Sequence, residues 1–296
     1  MHHFRPLPFH SLTALLALTG AFGLTGLGQA QTPAPAPPAV QASPAAPAAP
    51  APPTSPAPGP DLLPLKKALR PLAVAGMLQS RSDFQMTGSK RGISFTFREQ
   101  ARIMAKRPGR FRAELIQLSS DNTPQQRLLV ISNGVTVWTY RPGTRQYSVT
   151  SFKAFEAANN DITALGLVIG GFFLGDGHPL AQGFQILTKD NSAEMLTTLA
   201  GMGVTLSSKE QSGNNEDDVA YRMTLLKQGM TYQFIVNSAS NTLRQVELAG
   251  TQKGVQFAFK EQINQLTPLT TAAKDTFTFT PPPGAVKVAT VSVDPF

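Results

Sequence analysis

Short segments in which apolar and polar residues alternate constrain the fold of this chain most strongly. In one of them, Ile93, Phe95 and Phe97 fall on one face of an extended chain and polar residues fall on the other. Four more such segments follow, at residues 111–118, 127–132, 135–140 and 146–150. Asn133-Gly134 between apolar runs favours a type I′ hairpin. The first half of the domain is therefore predicted to be an antiparallel meander.

The second half repeats this pattern after an interruption. Further strands are predicted at residues 204–208, 219–227, 231–237, 243–249, 255–263 and 277–279. Before them, residues 152–174 form a dense apolar region that is too short and too rich in glycine for a membrane span, and helix followed by a loop fits it better. A sheet of about ten to eleven strands must curl, and the apolar helices are expected on its concave side.

A helix is also predicted at the start of the domain, because leucines recur at helical spacing at positions 62, 65, 69 and 72. Pro71 is expected to break this helix. Met77 and Leu78 would then belong to a second short helical turn. Packing against a sheet explains these leucines without any ligand.

The first sixty residues are predicted to lie outside the folded domain. Residues 1–30 contain Arg5, an apolar run and small residues at Gly28-Gln29-Ala30, which indicates a cleaved secretory signal peptide; an uncleaved membrane anchor is the alternative. Residues 31–60 contain 12 prolines and 10 alanines without a charge, and are predicted to be a disordered spacer, with or without a partner. Residues 61–296 form the predicted domain, expected to be a periplasmic monomer.

Charge is spread unevenly over this domain. Residues 61–150 hold 15 basic and 5 acidic side chains, whereas residues 151–296 hold 10 basic and 13 acidic ones. The basic half could meet anionic lipid head groups or an acidic partner protein, and a solvated cationic face is the equally simple alternative. Nucleic acid is not an expected partner of an exported chain.

Few side chains are available for catalysis or metal binding. The chain has no cysteine, and His178 is the one histidine that remains after removal of a signal peptide. Histidine triads, zinc sites and cofactor-binding glycine loops are therefore not expected, and no cofactor is predicted. Pairs of carboxylates are the remaining enzymatic alternative, but the acids are expected mainly at solvated loop tips, as at residues 216–218.

Three phrases carry a resemblance to a known family. They are Lys106-Arg107-Pro108-Gly109-Arg110-Phe111, then Ser132-Asn133-Gly134 with Trp138-Thr139-Tyr140-Arg141-Pro142, and Phe277-Thr278-Phe279-Thr280 followed by Pro281-Pro282-Pro283-Gly284. Together they resemble the LolA-type outer-membrane lipoprotein carriers of the bacterial periplasm. This resemblance implies an α+β, mainly antiparallel fold in which an incomplete, curled β-barrel encloses a helical lid.

The resemblance also implies a function and partners. Members of the family hold the acyl chains of lipoproteins in an apolar cavity, receive them from an inner-membrane lipoprotein-releasing transporter and pass them to an outer-membrane acceptor. A carrier rather than an enzyme is thus expected. Lipid-sensing regulators of envelope stress share the fold, so a regulatory binding module that docks on a membrane protein is the alternative. Residues 189–218 have no counterpart in the carrier pattern.

Candidate site residues follow from the same comparison. An apolar cavity is expected to be lined by Phe95, Phe97, Phe111, Val137, Trp138, Tyr140, Tyr232 and Phe234, for which a plain hydrophobic core is the alternative. The lid is expected to contain Phe152, Phe155, Ile162, Leu165, Val168 and Phe172.

Arg107 is the candidate lid latch. It occupies the position of the family arginine whose guanidinium, by similarity, hydrogen-bonds backbone carbonyls of the lid helices and keeps the cavity closed. An exposed arginine at the end of a strand is the alternative.

Overall fold

A computed structural model describes residues 61–90, 93–158, 160–173, 186–210, 216–226, 229–252 and 254–293. The predicted signal peptide, the predicted spacer and His178 lie outside these residues. In the described part of the chain, every helix is too short or too polar to cross a membrane.

Four helices and twelve strands occur in the described part of the chain. The helices are α1 (Leu63–Val74), α2 (Phe152–Ala157), α3 (Asn160–Phe173) and α4 (Ser192–Gly201). The strands are β1 (Met77–Lys90), β2 (Ile93–Lys106), β3 (Arg110–Leu118), β4 (Pro124–Asn133), β5 (Thr136–Arg141), β6 (Gln146–Ser151), β7 (Val204–Glu210), β8 (Asp218–Leu225), β9 (Met230–Asn237), β10 (Thr242–Gln252), β11 (Val255–Pro268) and β12 (Val286–Lys287).

All twelve strands belong to one open sheet with the order β12-β6-β5-β4-β3-β2-β1-β11-β10-β9-β8-β7. Neighbours are antiparallel except β12, which pairs with β6 in parallel. The long strands β1, β2 and β11 form the middle of the sheet, so residues far apart in sequence become direct neighbours there. The expected mainly antiparallel, incomplete barrel is therefore confirmed, with twelve strands instead of ten or eleven.

One face of the sheet is packed against the helices. Side chains alternate between the two faces along each strand, and residues that stand directly opposite each other on neighbouring strands lie on the same face. This face, called the inner face below, carries most of the buried apolar residues, including Ile103 on β2, Leu115 on β3 and Val246 on β10. Leu65 and Leu69 of α1 are buried in the same core. The opposite face is called the outer face.

Two local predictions at the start of the domain were wrong. Helix α1 continues through Pro71 to Val74, and Met77 and Leu78 begin strand β1 instead of a helical turn. Pro71 lies in the last turn of α1, where its ring disturbs a single hydrogen bond, and the burial of Leu72 outweighs that loss.

The Asn133-Gly134 hairpin is confirmed, although its turn is not the expected type I′. Gly134 has a φ of 91°, but Asn133 is part of β4 and does not adopt a positive φ. Its side-chain oxygen instead accepts hydrogen bonds from the amides of Val135 and Thr136, at 2.9 and 2.8 Å. An asparagine turn thus replaces the backbone turn that the dipeptide alone predicts.

The third phrase of the resemblance forms a strap instead of the predicted strand at residues 277–279. Phe279 packs on the outer face against Trp138, Tyr140 and Tyr147, with ring centroids 5.6–6.4 Å apart. The chain then adds β12 to the edge strand β6, and the amide of Val291 donates to the hydroxyl of Ser148 at 3.0 Å. This segment covers an edge strand that would otherwise present unpaired backbone groups.

Candidate functional site: the inner face and its lid

Four of the eight predicted cavity residues lie together in the core on the inner face. Phe111 and Val137 are buried on β3 and β5, and Tyr232 and Phe234 are buried on β9. Phe111 contacts Phe155 of α2 with ring centroids 5.8 Å apart. In this closed arrangement, the side chains are packed against protein and belong to the core.

Trp138 and Tyr140 do not lie with them. Val137 and Thr139 of β5 point to the inner face, so the residues that alternate with them point to the outer face. Both aromatic rings pack there against Phe279 of the strap. A cavity that includes Val137 therefore excludes Trp138 and Tyr140, and their grouping with the inner-face residues was wrong.

Phe95 and Phe97 lie on the inner face and are half-buried. Phe97 stands opposite Met86 of the neighbouring strand β1, and Met86 stands opposite Phe259 of β11. At the next inner-face pair of β1 and β2, the ring of Phe95 lies over Gly88, and a Cβ added to Gly88 would come within 2.2 Å of this ring. These apolar residues form a continuous half-buried strip on β1, β2 and β11, called the aromatic strip below.

The lid consists of α2 and α3. Ser151 caps α2, because its hydroxyl accepts from the amide of Ala154 at 3.1 Å. The predicted lid residues Phe155, Leu165 and Val168 are buried, and Phe152 packs against the core. The side chains of Ile162 and Phe172 lie outside the described residues. The lid is thus docked against the inner face.

Helix α3 is interrupted at Gly166. This residue has φ 69° and ψ 180°, a conformation open essentially to glycine alone. An added Cβ would lie 2.6 Å from the ring of Phe84 and 2.9 Å from Oε2 of Glu261. The break therefore brings the lid backbone against the inner face and leaves the next amides without partners in the preceding turn.

Glu261 supplies the missing acceptor. Its Oε2 accepts from the amide of Val168 at 3.0 Å, and the amide of Leu167 also interacts with this carboxyl. Its Oε1 accepts from the hydroxyl of Ser82 at 3.0 Å. Glu261 is fully buried, so these bonds are protected from water. A carboxylate of the central strand β11 thus caps the second half of α3, as a carboxylate does at a helix N-terminus.

Glu99 is the second buried acid of the inner face. It pairs across the sheet with Phe84, and Phe84 pairs on its other side with Glu261, so the two carboxyls flank one aromatic ring. Glu99 is 2% exposed, and its Oε1 has no hydrogen-bond partner among the described residues. Burial raises the pKa of Glu99 to about 8. Burial also raises the pKa of Glu261 to about 7, against the opposing effect of its amide and hydroxyl donors.

The sequence reasoning missed both acids, since it placed acidic residues mainly at loop tips. A signal was present: Glu99 follows Phe95 and Phe97 at the same spacing of two, and Glu261 stands between Phe259 and Ile263. An acid in the apolar phase of an alternating strand predicts a buried carboxyl.

Arg107 lies in the turn between β2 and β3, beside the start of the lid. Its amide donates to the carbonyl of Gly76 at 3.0 Å, and its side chain is half-buried. The neighbouring Gly109 faces the ring of Phe152, and the Gly109 carbonyl accepts from the hydroxyl of Ser132 at 2.7 Å. The first two phrases of the resemblance therefore meet at one end of the sheet, next to α2.

Three solved structures illustrate which known proteins this chain is similar to. One is an uncharacterised conserved protein from Thermus thermophilus, with 10% identity and a TM-score of 0.36, over 77% of this chain and 98% of that chain. Another is a LolA superfamily protein from Nitrosomonas europaea, with 10% identity and a TM-score of 0.28, over 73% and 96%. The third is the Pseudomonas aeruginosa MucA/MucB complex, with 14% identity and a TM-score of 0.30, over 74% and 60%.

No family model matches the sequence, and no curated protein matches it. Since the structural alignments have low identities and TM-scores, the sheet order and the helices on the inner face carry the fold assignment. In the described part of the chain, the fold is an open, curled antiparallel sheet whose inner face is covered by helices.

The buried carboxyls predict a pH-dependent stability. Between pH 4.5 and about 8 the folded protein keeps a proton on Glu99 that the unfolded chain releases, so the free energy of unfolding falls as the pH rises. For Glu99 the expected loss is on the order of 4 kcal/mol. Urea unfolding at pH 5 and pH 8.5 measures it. The Glu99→Gln variant should lose the part of this dependence that Glu99 contributes and keep the part that Glu261 contributes, and an equal dependence in both proteins would contradict the burial of Glu99.

The lid break predicts an unequal effect of two glycine substitutions. Gly166→Ala should lower the free energy of unfolding by about 2 kcal/mol or more, because alanine is strained at this φ and its Cβ meets Phe84 and Glu261. Gly143→Ala is the matched control, since no atom lies within 4 Å of an added Cβ there. Thermal unfolding compares the two; similar melting temperatures would show that α3 is not held as described.

Proposed function

We propose that this protein is a non-enzymatic carrier of the cell envelope that binds acyl chains on the inner face of its sheet, under the lid. The ligands are the acyl chains of lipoproteins or of other lipids, and the carrier passes them across the periplasm. An inner-membrane lipoprotein-releasing transporter would load it, and an outer-membrane acceptor would unload it. In this proposal the predicted signal peptide exports the protein, and the predicted spacer holds the domain away from a surface.

The observation that carries the proposal is the aromatic strip. Phe95, Phe97, Met86 and Phe259 are only half-buried, although they are large, apolar and continuous with the core. Ile93, next along the same face, is 70% exposed. A soluble protein gains by covering such a surface, and an acyl chain offers the apolar area to do so.

The lid gives this surface a way to open. In the described part of the chain, the Glu261 cap at the Gly166 break joins α3 to the sheet through a buried hydrogen bond. Releasing that cap would expose inner-face residues such as Phe84 and Phe111 to a ligand. Since a ligand shifts an equilibrium only by its differential affinity, an acyl chain must favour the open lid over the closed one.

Arg107 is the proposed partner of the lid at the start of α2, whereas Glu261 acts on α3. Its place beside Gly109 and Phe152 fits a latch that acts on the lid backbone. Glu261 and Arg107 would then hold two different parts of the lid, one at the centre of the sheet and one at its end.

A fluorescent triacylated lipopeptide tests the carrier. The protein should extract it from donor vesicles and deliver it to acceptor vesicles, and Phe97→Glu should weaken binding about tenfold or more, because a charge replaces an apolar contact. Gln100→Glu, on the outer face of the same strand, is the control and should bind normally. Failure of the unchanged protein to bind the lipopeptide, or equal binding by both variants, would contradict the proposal.

The same transfer assay separates uptake from release. Arg107→Leu should change the rate of transfer without weakening the affinity for the lipopeptide, since a latch that holds the lid closed opposes binding to the open state. Arg102→Leu, an exposed arginine on the outer face of β2, is the control. An unchanged transfer rate in Arg107→Leu would show that Arg107 is only a strand-end residue.

A lipid-responsive regulatory module is the second candidate, and the outer face favours it. Arg81, Arg102 and Arg127 are exposed around one groove of about 380 Å³ that Asp83 and Glu114 also line, and Arg102 stands opposite Arg81 on β1 and Glu114 on β3. Three arginines against two acids leave this groove with a net positive charge, which an acidic partner protein would complement. Pull-down from the envelope distinguishes the two functions: transporter subunits support the carrier, and an acidic membrane-bound regulator supports the module.

A further inference from the structure

Oε1 of Glu99, which has no hydrogen-bond partner among the described residues, is the feature of the inner face that neither the core nor the lid explains. Glu261, two strands away, uses both of its oxygens, on Ser82 and on the lid amide of Val168. Oε1 of Glu99 has no such partner among the described residues, although the residue is almost completely buried. A buried polar atom without a hydrogen bond costs about 1–3 kcal/mol, so its retention calls for an explanation.

The position of Glu99 supplies one, because it lies at the inner end of the aromatic strip. Along β2, the inner-face residues run from the exposed Ile93 through the half-buried Phe95 and Phe97 to the buried Glu99. Six residues of strand separate the first from the last, about 20 Å. A row of apolar side chains that begins at the surface therefore ends at a buried oxygen without a hydrogen-bond partner among the described residues.

On the inner face the neighbours of Glu99 are neutral apart from one, whereas Asp83, Arg98 and Lys260, which line a groove together with Glu99, belong to the outer face. Phe84 stands opposite it on β1, Gln117 stands opposite it on β3, and Phe97 and Ala101 precede and follow it on the same face. The described side chains of α3, at residues 164–171, carry no charge. Glu261, beyond Phe84, is the one titratable group among these neighbouring inner-face positions. In this setting a neutral carboxyl, which offers one O–H donor, is the favoured form.

We propose that the Glu99 carboxyl anchors the head of a single-chain lipid, donating a hydrogen bond to the carbonyl oxygen of a fatty acid or fatty amide. The inference rests on the proposed acyl-chain site and names a second class of ligand for it. Such a lipid enters head first and leaves its chain along the aromatic strip. The acyl chains of a lipoprotein enter tail first, because the attached protein stays outside, so their ester and amide groups do not reach Glu99.

Two probes that enter the site in opposite orientations should therefore respond differently to a substitution of Glu99. Palmitamide is the neutral head-first probe, and the triacylated lipopeptide is the tail-first probe. Glu99→Leu should weaken palmitamide binding about 3- to 10-fold, the range expected for one neutral hydrogen bond, and leave lipopeptide binding within about twofold. Glu99→Gln keeps a donor and should bind palmitamide nearly as the unchanged protein does. Gln100→Leu, on the outer face, is the control for added apolar surface.

Binding is measured by isothermal titration and by displacement of a fluorescent apolar dye at pH 6.5, after thermal unfolding has shown that each variant is folded. Equal palmitamide affinity in Glu99→Leu and in the unchanged protein would overturn the inference while the carrier stands. A loss of both probes in Glu99→Leu but not in Glu99→Gln would also overturn it, since Glu99 would then shape the whole site. If neither probe binds the unchanged protein, the proposed function itself fails.

A titration of ¹³C-labelled glutamate adds an independent readout. A carbonyl acceptor keeps Glu99 protonated, so palmitamide should leave its pKa unchanged or raise it. A lowered pKa on binding would indicate that the amide N–H of palmitamide donates to an ionised Glu99 carboxylate, and it would overturn the inference.

Discussion

The contact between the Glu261 carboxyl and the lid amides at the Gly166 break is the interaction on which the closed structure depends. It joins the middle of the sheet to the break in α3. The helix break needs an acceptor for its exposed amides, and the buried acid needs donors. The carboxyl and the amides therefore satisfy each other's need for a hydrogen-bond partner.

The same contact makes the lid sensitive to its surroundings. A carboxyl buried among apolar residues favours its neutral form, whereas the amides of Leu167 and Val168 favour the charged form. The closed lid is therefore a balance between two opposed electrostatic effects at one group. Such a balance suits the proposed carrier, whose lid would be closed when empty and open to a ligand, because small differences in free energy then change the populated state.

Alternation explains how much of this could be predicted from the sequence. The strands from β2 to β6 and from β7 to β11 follow from alternating residues and turn signals, and their order in the meander follows from short connections. The central pairing of β1 with β11 joins residues about 180 positions apart and has no local signal. The predicted cavity residues were grouped because they are apolar or aromatic, without regard to which face of the strand each one occupies. Strict alternation along β5 places Trp138 and Tyr140 on the face opposite to Val137. Phe279 looked like part of a strand because its spacing from Phe277 is two, but three prolines follow it and the segment straps the outer face instead.

Hydrogen exchange at the backbone amides of Leu167 and Val168 tests the central claim most directly. In the empty protein these amides should be as strongly protected as those of β1 and β11, because Glu261 accepts from them in the core. Saturation with an acylated lipid should accelerate their exchange by a factor of about ten or more, while the strands of the sheet stay protected. Fast exchange in the empty protein, or no change on loading, would contradict a lid that Glu261 holds closed and that an acyl chain opens.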